Sequence, residues 1–94
     1  MNQYEVLYIL EAKLEDAARE VEIERYSALV TESGGEVESV NKWGFKKYAY
    51  PIGFKNEGYY VLMAFNSKPE FPAELERRMK IADSVVRYKV TKRP

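Results

Sequence analysis

Apolar residues along this chain keep two rhythms. In YEVLYIL, residues 4 to 10, and YYVLMAF, residues 59 to 65, they run almost unbroken and are rich in Tyr, Val and Ile. Such short runs predict strands buried on at least one face and central in a sheet. EVESV, residues 36 to 40, and SVVRYKV, residues 84 to 90, alternate apolar with polar positions and predict half-exposed strands. From Leu14 to Ser33 there is no Gly or Pro. Leu14, Ala17, Ala18, Val21 and Ala28 recur there at helical spacing, interrupted by Arg25, while Ile23, Tyr26 and Val30 form a second stripe. Glu20, Glu24, Ser27 and Thr31 are left as the wet face of a helix. SGGE closes it, because glycine accepts the left-handed conformation common just past a helix C-terminus.

The second strand is expected to run on from EVESV through Trp43 to Ile52, with a kink or bulge at Gly44. Pro51 lacks the backbone donor of a central strand, so this strand lies at a sheet edge or ends its pairing there. GFKNEG, residues 53 to 58, carries turn residues. After NSKPEFP a short helix follows, with Pro72 in its first turn and Leu75 and Met79 one turn apart. The order β-α-β-β-α-β predicts an α+β, ferredoxin-like split sandwich. Its four-stranded antiparallel sheet has strands one and three in the centre, both helices on one face and the other face open. Residues 1 to 94 are expected to form one such domain, at a size that buries roughly 60 to 65% of the unfolded chain's surface.

Charge changes this picture. The total is zero, from 15 Lys and Arg against 15 Asp and Glu, which argues against strong non-specific binding to nucleic acid. The distribution is uneven: residues 1 to 40 hold three basic and ten acidic residues, or −7, and residues 41 to 94 hold twelve and five, or +7. Composition is that of a soluble globular protein, no apolar run is long enough to span a bilayer, and MNQYEVLYIL lacks a signal peptide's features. The chain therefore reads as cytosolic. With no cysteine and no histidine, thiolate chemistry and the commonest general base are missing, and there is no glycine-rich phosphate loop. An enzyme is not expected. Acylphosphatases share the topology, but their first loop holds phosphate with glycines and an arginine, and here that loop reads EAKLE.

Function is left to the open face and the edges. In GFKKYAYPI, residues 44 to 52, Lys46 and Lys47 sit on an edge strand, where lysines protect against aggregation or meet phosphate. Lys42, Lys55, Arg87, Lys89, Lys92 and Arg93 lie on or near the outer strands and extend that basic surface, whereas Arg77, Arg78 and Lys80 read as a solvated helix face. Tyr4, Tyr8, Tyr59 and Tyr60 are candidates for the open side, and EGYYVLMAF partly echoes the third strand of the RNA-recognition motif, which stacks bases on such aromatics. Buried tyrosines with a wet hydroxyl explain the same pattern. A free-standing single-stranded-RNA binder is thus one reading, and a regulatory ligand-binding module of this fold another.

GFKKYAYPI also resembles the signature of the bacterial small-subunit ribosomal protein six family, in which a glycine, a basic pair, a hydrophobic residue and a small residue lead into Tyr-Pro-Ile. YEVLYIL is similar to that family's opening strand, and MKIADSVVRYKV, residues 79 to 90, to its second-helix exit and last strand. Tyr48 stands where leucine is common and Ala12 where proline is frequent. The resemblance implies a cytoplasmic, structural component of the small ribosomal subunit that binds small-subunit ribosomal RNA together with ribosomal protein eighteen. It implies no cofactor, metal, membrane or small-molecule substrate. On this reading Lys46, Lys47, Arg87, Lys89 and Lys92 are the RNA-binding candidates, and Trp43, Tyr48 and Tyr50 offer rigid area to the protein partner.

Overall fold

The computed structural model describes residues 1–52 and 55–93, with the backbone alone for residues 48–52, 55 and 56. Six elements follow one another: β1 (Asn2–Glu11), α1 (Asp16–Glu32), β2 (Glu36–Ile52), β3 (Lys55–Ser67), α2 (Phe71–Ile81) and β4 (Val85–Lys92). The strands lie in the order β2-β3-β1-β4, with every neighbouring pair antiparallel. This is the expected ferredoxin-like sandwich. The two unbroken apolar runs occupy the centre and the proline-bearing strand an edge. Pairing resumes past the proline, with Ile52 opposite Lys55 after a register shift between Lys47 and Ile52, on the edge strand where a proline is tolerated. β3 begins at Lys55, so residues 55 to 58 of the expected turn are strand, and its first two positions lie outside the described residues.

Side chains alternate across the strands, and one set builds the core. Tyr4, Val6, Tyr8 and Leu10 of β1 join Val61, Met63 and Phe65 of β3 beneath Ile23, Tyr26 and Val30 of α1 and Phe71, Leu75 and Met79 of α2. Phe65 stacks on Tyr4 at 5.7 Å and meets Phe71 edge-on at 5.9 Å, so each layer of the sandwich contributes a ring to one contact. Burying side chains of this size contributes about 1.5–3 kcal/mol each. In β4, Tyr88 and Val90 pack on this core as expected; Val85 joins them because the register against β1 shifts between Ile9 and Leu10.

The helix α1 corrects the sequence reading. Its two stripes cannot both face the sheet, and Ile23, Tyr26 and Val30 are buried while Ala17, Ala18 and Ala28 are exposed and Val21 is 56% exposed. Leu14, just ahead of the helix, still packs on the core, but within the helix area decides: a tyrosine, an isoleucine and a valine remove far more apolar surface from water than three alanines and a valine. The buried stripe extends back one turn to Arg19, a residue that periodicity alone assigns to no apolar face. At the other end, Gly34 N–H donates to the Thr31 carbonyl and Gly35 N–H to the Val30 carbonyl, with Gly34 at φ 91°. This is a Schellman closure, and it satisfies carbonyls that the helix end leaves unpaired. Pro72 opens α2 at its first positions, and Leu75 and Met79 are buried one turn apart.

The β2–β3 ladder shifts register at three places, the last between Lys47 and Ile52. The others fall between Val37 and Ser39 and between Lys42 and Gly44, the second of these at the glycine marked in the sequence, which takes φ 87°. Nothing lies within 4 Å of a Cβ built there, so a substitution meets strain and no clash. Gly44→Ala is expected to cost about 1–2 kcal/mol, the penalty of left-handed backbone for a residue with a Cβ, read as a lower urea midpoint at unchanged slope. Wild-type stability of that variant would show that the bulge relaxes away.

The core also predicts a pH dependence. The Tyr8 and Tyr26 hydroxyls are buried with no hydrogen-bond partner, and the rings meet edge-on at 5.4 Å. Burial first, and then the Glu22 carboxylate, push Tyr26 up to about 12; burial and the charges around Tyr26 and Glu22 raise Tyr8 as well. Both groups hold their protons more tightly folded than unfolded, where tyrosine titrates near 10. Their contribution is therefore complete below about pH 10 and is lost as pH rises through the folded values. Denaturant midpoints should be level to pH 9 and fall steeply toward pH 12. Tyr26→Phe should flatten that fall and, by removing an unpaired hydroxyl, leave neutral-pH stability within about 1 kcal/mol of wild type.

Candidate nucleic-acid interface

Register fixes what the open face displays. Ile9 lies opposite Tyr60 and Leu7 opposite Leu62, so the two central strands present an apolar floor with no helix above it. On its β4 side, Arg87 lies opposite Ile9 and Lys89 opposite Leu7; both are exposed, and Lys89 rims a hollow floored by Leu7 and Leu62. On the β2 side Trp43, 41% exposed, lies parallel to the Tyr60 ring at 6.4 Å and 8°. The Lys46 ammonium sits 4.8 Å from the Trp43 ring, which places Lys46 on this face too.

Beyond Glu11, whose partner on β3 is Gly58, the β2–β3 ladder continues through Lys47 and Glu57 to Ile52 and Lys55. These residues form a two-stranded arm projecting past β1, consistent with extents of 39 × 27 × 22 Å. Lys46 stands at its root. Lys47, exposed and opposite Glu57, follows it in the alternation and turns to the helix-side face of the arm. The side chains of Tyr48 and Tyr50 lie outside the described residues.

Of the five cations singled out, Arg87 and Lys89 come together, Lys46 joins the same face across the sheet, and Lys47 stands beside it on the arm. Lys92 is separated from them. It lies opposite Tyr4, whose ring is in the core, and directly opposed residues share a face; it borders a hollow with Met1, Asn2, Gln3 and Arg93. The tyrosines divide as well. Tyr4 and Tyr8 are core residues, Tyr59 meets Phe45 edge-on at 5.1 Å on the helix side, and Tyr60 alone of the four reaches the open face. An RNA-recognition-type platform needs aromatics of both central strands on that face, and β1 supplies Leu7 and Ile9 there.

Ion pairing sorts the remaining cations. Lys42 Nζ donates to both oxygens of Glu20 at 2.9 Å, and that bond raises its pKa; it is tied to α1 and absent from the open face. Arg77 grips Glu74 at 2.6 and 2.8 Å and Arg78 adds a bond at 3.1 Å. These bonds hold the Glu74 carboxyl down to about 2. Arg93 lies 3.6 Å from Glu5 and 3.4 Å from Glu38. Among the described residues Lys46, Lys47, Arg87 and Lys89 enter no ion pair, and neither do Lys68, Lys80 and Lys92, which lie away from the open face. The exposed acids of α1, among them Asp16, Glu20, Glu24 and Glu32, lie on the covered side, so part of the charge asymmetry along the chain becomes an asymmetry between faces.

Two residues of the site carried little signal in the sequence. Phe45 is 52% exposed on the helix side of the arm's root, and Arg19 is buried against it and Tyr59. An arginine four residues before Ile23 in the buried stripe was the available hint. Among the described residues there is no cluster of metal-ligating side chains and no helix long and apolar enough to cross a membrane.

Comparison with known proteins fits this geometry. Residues 3–92 match the family described as ribosomal protein S6. The chain is 49% identical over 88 residues to small ribosomal subunit protein bS6 of Caldanaerobacter subterraneus subsp. tengcongensis, covering 94% of this chain and 93% of that one. It is 46% identical over 90 residues to the bS6 of Clostridium novyi, covering 96% and 95%. Among solved structures, 30S ribosomal protein S6 from Thermotoga maritima superposes with a TM-score of 0.92 at 27% identity, over 98% of this chain and 87% of that one.

Proposed function

The chain belongs to the ribosomal protein S6 family, a structural protein of the small ribosomal subunit and not an enzyme, and on that premise we propose that it binds small-subunit ribosomal RNA together with ribosomal protein eighteen. The observation that carries the RNA half of this reading is a group of exposed cations that enter no ion pair and lie on or beside the open face: Arg87 and Lys89 on β4, Lys46 and Lys47 at the arm. They span both outer strands, so they can reach separate stretches of phosphate backbone. The identity of the protein partner comes from the family resemblance in the sequence. Trp43, with Tyr48 and Tyr50 beyond it on the same strand, is the partner-facing candidate, being a large rigid ring on an exposed edge of the kind enriched at interface centres.

Zero net charge limits what the chain does alone. Few phosphate contacts mean little counterion release, and salt screens those that form. A partner adds its own cations and covers exposed aromatic area, and the resulting coupling is reciprocal. Titrating small-subunit RNA with this chain, with protein eighteen and with both, at near-physiological salt, should show tighter binding by the pair than by either alone. Tight, saturable binding by this chain that the partner leaves unchanged would overturn the cooperative reading in favour of a free-standing RNA binder.

Within the pair, Arg87 should matter and the α2 arginines should not. Arg87→Ala is expected to weaken RNA binding and lower the slope of log affinity against log salt by about one, because a guanidinium can hold phosphate by two parallel bonds. Arg77 and Arg78 are spent on Glu74, so reversing their charge should change crosslinking little. The opposite result would put the RNA on the helix side.

A further inference from the structure

The arm that carries Lys46 and Lys47 has a mechanical problem. A two-stranded ribbon without a third strand is marginal in water, and past Gly58 β1 no longer supports it. Its direction must be set at its root, where each strand contributes one ring to the helix side: Phe45 from β2 and Tyr59 from β3, paired in register.

Arg19 occupies that position. It is 7% exposed, with its guanidinium carbon 4.8 Å from the Phe45 centroid and 4.5 Å from the Tyr59 centroid. Nη1 donates to Asp16 Oδ1 at 2.7 Å and Nη2 to the Leu14 carbonyl at 3.0 Å, while Nε is buried without an acceptor. The two terminal nitrogens are thus fixed to the first turn of α1 and the loop before it, and what remains of the group is spent on the two rings. The ion pair does not account for the burial, because Asp16 is 96% exposed and such pairs are screened by water. An apolar side chain could fill the space, but it would have no bond to Leu14 or Asp16; a lysine would have the charge without the plane.

We propose that Arg19 is a positioning residue that clamps the root of the β2–β3 arm to the start of α1, and so sets the direction in which Lys46 and Lys47 are presented to RNA phosphate. The clamp stands on geometry, and its purpose rests on the RNA-binding reading above. Phe45 adjoins Lys46, and Tyr59 adjoins Gly58, the partner of Lys46 in the ladder. A swing at these rings therefore moves the lysine directly.

The test uses the full chain as wild type, Arg19→Met and Arg19→Lys, with Lys46→Glu/Lys47→Glu as a control. Amide exchange localises the effect, and Trp43, the one tryptophan of the chain, reports arm mobility by fluorescence anisotropy. In Arg19→Met the amides of residues 45–47 and 57–59 should exchange about tenfold faster, with those of Val6, Tyr8 and Met63 unchanged, since an arm can open without the core. Trp43 anisotropy should fall, binding to small-subunit RNA with protein eighteen should weaken about tenfold through lost preorganisation, and Arg19→Lys should lie between. Equal acceleration throughout the sheet, or none at the arm, would overturn the clamp. A loosened arm with undiminished binding, where the double lysine variant binds poorly, would overturn the positioning role. If the double lysine variant binds as wild type does, the phosphate-binding reading of the arm falls, whatever the exchange data show for Arg19.

Discussion

A strand shows alternate residues to alternate faces, and a slip of one residue exchanges every side chain beyond it. β2 makes that slip at Gly44. Before it, Val40 and Lys42 lie opposite core residues of β3; after it, Phe45 lies opposite Tyr59 and Lys46 opposite Gly58. Had the alternation run through unbroken, Phe45 would face the open side and Lys46 would point toward α1, whose exposed residues include Asp16, Glu20, Glu24 and Glu32. One left-handed glycine thus decides that the arm's root offers an aromatic ring to Arg19 and a lysine to the face shared with Arg87 and Lys89.

Charge follows from that arrangement. Part of the chain's positive charge is held in ion pairs away from the open face. Glu20 takes Lys42, Glu74 takes Arg77 and Arg78, and Glu5 and Glu38 flank Arg93. These exposed pairs add little to stability, but they engage Lys42, Arg77, Arg78 and Arg93 with carboxylates of the chain itself. The same residues therefore tie tertiary structure to function without being core.

Packing makes the complementary choice with the aromatics. In a sandwich this small the core recruits Tyr4, Tyr8 and Tyr26, and it does so even where hydroxyls are left unpaired, because ring area outweighs one lost hydrogen bond. The rings so used are withdrawn from the open face. Trp43 and Tyr60 are left there, beside the arm and not across the sheet, which suits a neighbour gripping an edge better than a strand of bases laid over two central strands.

How much of this was written in the sequence depends on how local the cause is. The element order, the central and edge strands, the opening of α2 at Pro72 and the irregularity at Gly44 were legible, since periods of 2 and 3.6 residues and the backbone limits of glycine and proline act within a few residues. The family signature was legible for the same reason, being a run of adjacent residues. Which stripe of α1 is buried, which tyrosines enter the core, that Lys92 parts from Arg87 and Lys89, and that Arg19 lies between Phe45 and Tyr59 were not. Each depends on the residue opposite, and that is fixed by register between strands far apart in the chain, where one bulge exchanges the faces while leaving the local pattern unchanged. The sequence by itself determined the elements and their order; only the tertiary structure decided which side of the sheet each side chain serves, because facing is a property of pairs and no residue carries its partner's position.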